Sequence, residues 1–445
     1  MKLLHTGDLH LGKSFYETSL VVDQRIMLDQ LLAELKRDDY SALLIAGDIY
    51  DRTIPPAEAV EIFGNFLVEV KKNFPLLTIC FIPGNHDSAQ RLGFASKILG
   101  SQGIHIVSNP EDAFTPVIIT GKSEEQLAIF MLPFLSAGSL APEDKTTVKQ
   151  ELKKDSLQNT STGEFDFDSE IPFINETTDV TEISGQEEKQ IPVLLTQAEL
   201  AEEASRRFSK ILSTPELSNI ATVLLAHLFT YGGESSSSER TFLGTAEHIS
   251  SSLFSQFSYV ALGHLHKPQK VTQRMYYSGS PLAYSFDEAS NEKSFLKVSI
   301  DCKTEGFPVT VTPIPVIPFR SVVRLRGAFS DFYIGESYDA YSPDYIEITL
   351  TDEGLVANPM NLLRPKFPWL LSLRQGFRTD NAEFGAVQKR NSPEQTDVAQ
   401  GDQDNSKPRN LTEDFDQFQI MLRGELDTEK RALFNKFLAE CTDET

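Results

Sequence analysis

The chain has 445 residues, of which 40% are hydrophobic and 24% charged. This length suits about two to four domains and excludes a peptide, a single small module or a chain disordered throughout. The formal net charge of -23 argues against a protein that binds nucleic acid through its overall charge, because such binding depends on Lys and Arg. A nucleic-acid function would need metal ions, local basic surface or a partner.

The cysteines and the N-terminal stretch indicate the cellular compartment. Cys80, Cys302 and Cys441 are too few and too scattered for a disulfide framework or a CxxC zinc site. The stretch after Leu4 is polar and contains no signal-peptide core, and no apolar run approaches the ~20 residues of a membrane span. We therefore expect a cytoplasmic protein without a membrane partner.

Short apolar runs alternate with helical patterns in the first part of the chain, which predicts a layered α/β fold. Polar motifs follow several of the runs, where α/β sheets usually place their ligands. In chain order the predicted elements are a strand at 3–6, a helix at 25–36, a strand at 42–46, a helix at 57–72, and strands at 77–82, 126–132, 221–226, 259–262 and 275–278.

Two polar stretches mark domain limits. Residues 156–189 contain nine acidic residues and one lysine, which predicts a solvated acidic insertion without a fold of its own. Apolar helical stripes resume beyond the second polar stretch. The predicted units are a first domain at 1–314 with the insertion at about 139–190, a small α+β domain at 315–387, a linker at 388–409 and a helical segment at 410–445.

Five polar clusters each follow a predicted strand. A single His or Asp at a strand end is usually structural, but five such clusters in this order are not expected for structural reasons alone. They hold five of the eight histidines. The clusters are Asp8 with His10, Asp48 with Asp51, Asn85 with His86, His227 alone, and His264 with His266.

The residue types in these clusters suit a particular chemistry. Imidazole and carboxylate ligands bind divalent ions such as Mn²⁺, Fe²⁺ or Zn²⁺, and a carboxylate can bridge two ions. Two ions ~3.5 to 4 Å apart can polarise a phosphoryl oxygen and stabilise a leaving oxygen. The glycines before Asp48, Asn85 and His264 allow sharp turns at the strand ends. The pattern predicts metal-dependent phosphoester chemistry.

The sequence around the clusters resembles the calcineurin-like metallophosphoesterases. Within that superfamily it is similar to the nuclease subunits of SbcCD-type complexes, which are relatives of the Mre-type repair nucleases. The resemblance rests on HTGDLHLG at 5–12, AGDIYDR at 46–52, IPGNHDS at 82–88, YVALGHLH at 259–266 and YSGSPL at 277–282. It is strong over 1–137 and 196–320 and weaker towards the C-terminus.

The resemblance implies a fold and a metal centre. The fold would be a layered αββα sandwich, with a capping and DNA-recognition domain at 315–387 and partner-binding helices at 410–445. One metal would be held by Asp8, His10, Asp48 and His266, and the other by Asp48, Asn85, His227 and His264, so that Asp48 is the bridge. His86 would assist departure of the leaving group, and the carboxylate of Asp51 would orient and charge His86.

The resemblance also implies an activity and partners. We expect a nuclease with two divalent ions, most simply Mn²⁺, that acts on double strands as a 3′ to 5′ exonuclease and on single strands or hairpins as an endonuclease. Its functions would be DNA repair, replication and recombination. Its partners would be DNA, at the bacterial nucleoid, and an SbcC-type ATPase with a coiled coil, in a heterotetramer built on a homodimer.

Candidate DNA contacts lie in a less acidic part of the chain. Residues 216–326 hold ten basic and nine acidic residues, a net charge of +1. Four of the basic residues follow ligand clusters in sequence and are the candidate phosphate contacts, although each of them is equally compatible with an ordinary solvated surface. They are Arg240, Lys267, Lys270 and Arg274.

Two alternatives remain open on the sequence. A phosphatase or phosphodiesterase for a small molecule or a phosphoprotein would need the same ligand residues, since fold does not fix substrate. A non-catalytic scaffold is the second alternative, but such a protein would be expected to have lost ligands. Here every expected position is filled.

Overall fold

The computed structural model describes residues 1–143, 193–230 and 249–375, with positions 428, 430–432, 434 and 435. Met1–Arg378 form one compact unit and Thr379–Thr445 a second. The described positions of the second unit are helical. The predicted linker and nearly all of the predicted acidic insertion lie outside the described residues, and the domain limits given above stay predictions.

The first sheet has six strands and contains the earliest strands of the chain. Its inner strands are short apolar runs, as expected for strands covered on both faces. Four neighbouring strands pair in parallel, and the two strands added last along the chain join the sheet through antiparallel pairing. In spatial order they are β14 (Val309–Pro315), β13 (Ser294–Ile300), β1 (Lys2–Thr6), β4 (Ala42–Ile45), β5 (Thr78–Phe81) and β6 (Ile104–Ile106).

The second sheet also has six strands. Its four central strands are parallel, and an antiparallel strand closes each edge. In spatial order the strands are β11 (Gln269–Lys270), β12 (Met275–Tyr277), β10 (Tyr259–Gly263), β9 (Ala221–His227), β8 (Gln126–Leu132) and β7 (Val117–Thr120).

The two sheets pack face to face, with helices on both outer sides. Leu44, Cys80 and Val223 are among the buried residues of the core between the sheets. The first sheet is covered outside by α1 (Val21–Leu35) and α2 (Ala57–Asn73), and the second by α5 (Gln197–Leu212). This is the αββα sandwich that the sequence resemblance implied. Smaller elements are β2 (Ser14–Phe15), β3 (Thr18–Ser19), α3 (Ala89–Leu92) and α4 (Ser96–Gly100).

A small sheet with its own core follows the sandwich, and we call it the cap. Its three strands are parallel and alternate along the chain with two short helices, so strands and helices are not segregated as an α+β unit would have them. The buried core includes Phe332, Ile348 and Phe367. The elements are β15 (Val322–Gly327), α6 (Phe329–Tyr333), β16 (Tyr345–Leu350), α7 (Pro359–Leu363) and β17 (Leu370–Gln375).

The cap contacts α1 through a group of polar residues that we call the cap joint: Asp23, Arg320 and Tyr345. The Tyr345 hydroxyl donates to Asp23 Oδ2 over 2.9 Å, and Arg320 Nη1 lies 3.4 Å from the same oxygen. The Arg320 guanidinium stacks 4.0 Å from the Trp369 ring centre. The joint therefore holds a buried carboxylate with both a cation and a hydroxyl donor.

The structure confirms the predicted strands and both predicted helices, with small differences at their ends. Helix α1 begins at Val21, four residues before the predicted start, because Leu20 and Val21 are buried in the core beside the first sheet. Within the described ranges, no helix is long and apolar enough to cross a membrane.

Candidate metal centre

The five predicted clusters meet at one edge of the sandwich. Asp8 follows β1, Asp48 follows β4 and Asn85 follows β5, and all three strands are parallel. His227 ends β9 and His264 follows β10 in the second sheet. The main-chain N–H of His264 donates to Asp8 Oδ1 over 2.9 Å, which joins the two sheets at this edge. We call the edge the metal edge.

The backbone of the metal edge is strained. Asp8, His10 and Asp48 have positive φ angles of 52°, 42° and 45°, and His264 has a φ of 106°. Residues with a Cβ rarely adopt such values, and the cost is of order 1 to 3 kcal/mol each. Strain at four candidate ligands indicates a functional site, where side-chain direction matters more than local stability.

Two glycines make close approach possible. A Cβ on Gly47, whose φ is +84°, would lie 2.3 Å from His227 Nδ1, and a Cβ on Gly84 would lie 2.1 Å from Asp48 Oδ1. Any larger residue would displace one of these two candidate ligands. The glycines predicted to permit sharp turns thus also make room for the ligands.

The first candidate set consists of Asp8, His10 and His266. Their donor atoms all lie within 4.8 Å of one another. The Nε2 atoms of His10 and His266 are 3.0 Å apart. All three side chains are buried. A carboxylate and two imidazoles that converge in this way form a donor set suited to a divalent ion.

The second candidate set is built around Asn85. Its Oδ1 lies 3.0 Å from His227 Nε2 and 3.1 Å from His264 Nδ1. These two ring nitrogens are 3.3 Å apart. His227 is held from behind, because its Nδ1 lies 2.8 Å from the carbonyl oxygen of Ala46 and must donate to it. The lone pair of His227 is therefore on Nε2, facing Asn85 and His264.

Asp48 lies between the two sets. Its Oδ2 is 3.7 Å from His10 Nε2, in the first set, and 3.5 Å from His227 Nε2, in the second. Its other oxygen, Oδ1, accepts from the main-chain N–H of His86 over 2.9 Å. One carboxylate oxygen therefore faces imidazoles of both sets, which is the position a bridging ligand requires.

Burial favours the neutral, metal-binding form of three of the imidazoles. Burial lowers the pKa of His227, takes that of His10 well below its usual value and lowers the pKa of His264 to about 3. Among the residues that the structure describes, the buried Nδ1 of His10 and Nε2 of His264 have no hydrogen-bond partner. Neutral rings with converging nitrogens, beside carboxylates and an amide oxygen, fit two divalent ions.

His86 lies at this edge but is only partly buried. Its Nδ1 is 2.9 Å from the main-chain oxygen of Asp51. That oxygen can only accept, so Nδ1 carries a proton and proton exchange falls to Nε2. The Asp51 carboxylate, which was expected to orient His86, pairs with Lys13, whose Nζ is 2.6 Å from Asp51 Oδ1, and its action on His86 stays a prediction.

Asp87 organises the metal edge, although it was given no role on the sequence. Its buried carboxylate accepts from the main-chain N–H groups of Ile49, Tyr50 and Gly84 at 2.9 to 3.0 Å. It thereby ties the loop after β4 to the loop after β5. Burial and the nearby Asp48 raise the pKa of Asp87 to about 7. Its place in the cluster GNHD was the signal that could have identified it.

Glu288 and Lys293 were also missed. They lie behind His266, whose Nδ1 is 3.2 Å from Glu288 Oε1. Nothing in the sequence spacing indicated that Glu288 would contact a residue more than twenty positions earlier. Tertiary structure alone reveals this pair.

The candidate DNA contacts differ in their position. Lys267 directly follows His266 and lines a groove of about 750 Å³ between the sandwich and the cap. Lys270 is exposed on the edge strand β11. Arg274 precedes β12, at the amino ends of the parallel strands and thus at the edge opposite the metal edge. The geometry favours Lys267 over Arg274. Arg240 lies outside the described residues.

Comparison with known proteins agrees with this geometry. The model of the family "Calcineurin-like phosphoesterase" matches residues 1–268, which contain every candidate ligand. The chain is similar to a curated protein from Staphylococcus epidermidis, the SbcD subunit of the nuclease SbcCD, with 25% identity over 400 residues. The match covers 89% of this chain and 91% of the relative. The resemblance read from the motifs is thereby confirmed.

Proposed function

We propose, given that this chain belongs to the calcineurin-like phosphoesterase family, that it is the metal-dependent nuclease subunit of an SbcCD-type complex. The proposal that the protein is a metal-dependent hydrolase depends on the position of Asp48. Its Oδ2 lies within 3.7 Å of an imidazole of each candidate set. The choice of DNA as substrate is supported by similarity to a nuclease subunit over 89% of this chain.

The proposed metal ligands are those of the two candidate sets with Asp48 between them. Asp8, His10, Asp48 and His266 would hold one ion, and Asp48, Asn85, His227 and His264 the other. Mn²⁺ suits this mixture of imidazole, carboxylate and amide donors. Two such ions, when bound, lower the pKa of an attacking water and stabilise charge on a phosphodiester.

The residues of the chain then have separate tasks. Asp48 accepts a hydrogen bond from the main-chain N–H of His86, which fixes its carboxylate between the two ligand sets. His86 Nδ1 is hydrogen-bonded to the Asp51 carbonyl. His86 therefore uses Nε2 to exchange a proton with the oxygen that leaves phosphorus. Lys13, paired with the Asp51 carboxylate beside His10, adds positive charge near the phosphate. In net terms water adds to phosphorus, one P–O bond breaks, and the departing oxygen gains a proton.

DNA would approach along the groove between the sandwich and the cap. Lys267 lines this groove, one residue beyond a candidate ligand. Phosphate contacts of this kind position the substrate without reading its sequence. We propose double-strand 3′ to 5′ exonuclease and single-strand or hairpin endonuclease activity, used in repair, replication and recombination.

Two further chains complete the proposed assembly. A second copy would dock on the apolar surface around α3 and α4, where Phe94 is 82% and Ile98 71% exposed. An SbcC-type ATPase would dock its coiled coil on the C-terminal segment 410–445. That segment has helical positions where it is described, and its Phe and Leu residues recur at helical spacing in the sequence.

One assay separates this function from the phosphatase alternative. Purified protein with Mn²⁺ is tested on linear duplex DNA, hairpin DNA and p-nitrophenyl phosphate, with the Asp48→Ala variant as control. We expect Mn²⁺-dependent cleavage of both DNA substrates by the wild-type protein alone. Hydrolysis of the small ester with intact DNA, even after addition of the ATPase, would instead identify a phosphatase.

A truncation tests the partner assignment. A chain that ends at Gln388 keeps every candidate ligand and the whole cap. We expect this variant to cleave DNA like the intact chain and to lose co-purification with the ATPase. Co-purification at the wild-type yield would refute the assignment of segment 410–445.

A further inference from the structure

A buried ion pair lies directly behind His266. Lys293 Nζ is 2.6 Å from Glu288 Oε2. Glu288 is fully buried and Lys293 is 9% exposed. Burying such a pair costs several kcal/mol per ion in desolvation, and apolar residues of similar size are often as stable. Stability alone is therefore a weak explanation for the pair at this place.

The carboxylate of the pair contacts the ring of His266. Glu288 Oε1 is 3.2 Å from His266 Nδ1, and its other oxygen binds Lys293. A carboxylate in an ion pair accepts hydrogen bonds and does not donate them. His266 Nδ1 therefore carries a proton, and in the metal-binding form of the ring this is the only one. The lone pair is on Nε2, the atom that faces His10 Nε2 at 3.0 Å.

The ammonium of the pair contacts the main chain of His266. Lys293 Nζ donates to the His266 carbonyl oxygen over 3.0 Å and to Ser280 Oγ over 2.8 Å. The N–H of Ser280 donates to the same carbonyl over 3.1 Å. The pair thus holds His266 at two points, the ring nitrogen away from the centre and the backbone.

Charge explains why the carboxylate comes with a cation. The metal edge already buries the carboxyl groups of Asp8, Asp48 and Asp87. A further anion alone would add repulsion in a medium of low dielectric constant. Lys293 offsets that charge, so Glu288 can orient an imidazole without making the edge more negative. A carboxylate behind a ligating histidine is a general means of fixing its tautomer and raising its affinity for metal.

We propose that Glu288 and Lys293 are positioning residues for the first metal, acting through His266. The proposal rests on the metal centre of the proposed function. Their task is to present Nε2 of His266 in a single tautomer and direction before the ion arrives. Both side chains bind His266 and each other, so the expected effect is on metal affinity.

Two matched double variants test the hydrogen bond. Glu288→Leu with Lys293→Met removes both charges and the acceptor, while Glu288→Gln with Lys293→Met removes both charges but keeps an acceptor for His266 Nδ1. Mn²⁺ binding to the metal-free proteins is measured by calorimetry and by electron paramagnetic resonance. We expect the Leu variant to lose affinity at one of two sites by about 10- to 100-fold. The Gln variant should recover most of it.

A remote pair supplies the control. Glu203 and Arg207 form a buried pair on α5, with Arg207 Nε 2.8 Å from Glu203 Oε1. Glu203→Leu with Arg207→Met should leave Mn²⁺ affinity unchanged, whatever its effect on melting temperature. Equal affinity of the Leu, Gln and wild-type proteins would overturn the positioning role alone. Failure of the wild-type protein to bind Mn²⁺ would overturn the metal centre and this proposal with it.

Discussion

The metal edge and the cap joint both bury charged side chains, but in opposite ways. At the metal edge, Asp48 Oδ2 faces imidazoles whose pKa values burial has lowered, so an anion is surrounded by neutral rings. At the cap joint, Asp23 faces the guanidinium of Arg320 and the hydroxyl of Tyr345. The joint supplies its own cation, whereas in our proposal the metal edge would be completed by bound metal ions.

This difference predicts opposite consequences for the metal-free protein. A buried carboxylate without a cation costs free energy, so its removal should not lower stability. A buried carboxylate with a cation leaves an uncompensated charge when its partner is removed. Mutations at the metal edge should therefore change metal binding, whereas mutations at the cap joint should change the free energy of unfolding.

The largest effect is expected for Asp48→Ala. Loss of the shared ligand should remove binding of at least one ion and reduce DNA cleavage by more than about a thousandfold. The melting temperature of the metal-free variant should equal or exceed that of the wild type. Asp48→Asn is the matched control, because it keeps an acceptor for the His86 N–H. If both metal-free variants unfolded at a lower temperature than the wild type, Asp48 would stabilise the protein as the cap joint does, and the predicted difference between the two regions would be wrong.

His86→Gln separates chemistry from metal binding at the same edge. Gln can still donate to the Asp51 carbonyl but cannot exchange a proton, so cleavage should fall by about 10² to 10⁴. Calorimetry should still find two bound ions with wild-type affinity. If one of the two sites were lost, His86 would be a ligand.

Arg320→Met tests the cap joint. Asp23 would remain buried without its cation, and the free energy of unfolding should fall by about 3 kcal/mol. Burial already raises the pKa of the Asp23 carboxyl, so in the variant this carboxyl is a buried group that can take up a proton. Adding Asp23→Asn should recover part of the loss, in a double-mutant cycle measured by urea unfolding. Mn²⁺ affinity should not change, and a change would mean that the joint is coupled to the metal edge.

The smallest expected effect concerns pH. Burial lowers the pKa of His5 from 6.5 to about 3, while its ring contacts the Tyr259 hydroxyl and the Leu262 carbonyl. Below pH 6.5 the unfolded chain binds a proton that the folded chain does not, so stability is lost as pH falls through this window. The loss is up to about 1.4 kcal/mol per pH unit for one such residue.

His5→Gln should flatten that dependence. Urea unfolding of the metal-free wild type and variant is compared at several values between about pH 7 and pH 5. The variant should have lower stability at neutral pH, since Gln does not reproduce both contacts of the ring, but a shallower decline. If the free energy of unfolding fell equally with pH in the wild type and the variant, His5 would be protonated in the folded protein. Burial would then not keep the imidazoles of this region neutral.

The sequence predicted most of the sandwich, because its central strands are covered on both faces and appear as apolar runs. Helix α5 was not predicted, although Thr196 and Glu199 form a capping box at its start. The antiparallel strands β13 and β14 were also missed. Strand β14 alternates partly buried and exposed positions at a sheet edge, which gives a weaker signal than a buried run.

The candidate ligands could be predicted because each follows a buried strand. The contacts between them and their supporting residues could not. Lys13 reaches Asp51 from 38 positions away, and its ammonium binds the Asp51 carboxylate. Glu288 reaches His266 only after the chain has completed the second sheet and turned back. Such contacts depend on tertiary packing, which residue spacing does not encode.

Anomalous diffraction from crystals grown with Mn²⁺ tests the bridging role of Asp48 most directly. We expect two Mn²⁺ peaks, both within bonding distance of the Asp48 carboxylate. One peak should lie beside His10 and His266, and the other beside His227 and His264. A single peak, or two peaks that share no ligand, would contradict the assignment of Asp48 as a bridge between two metal sites.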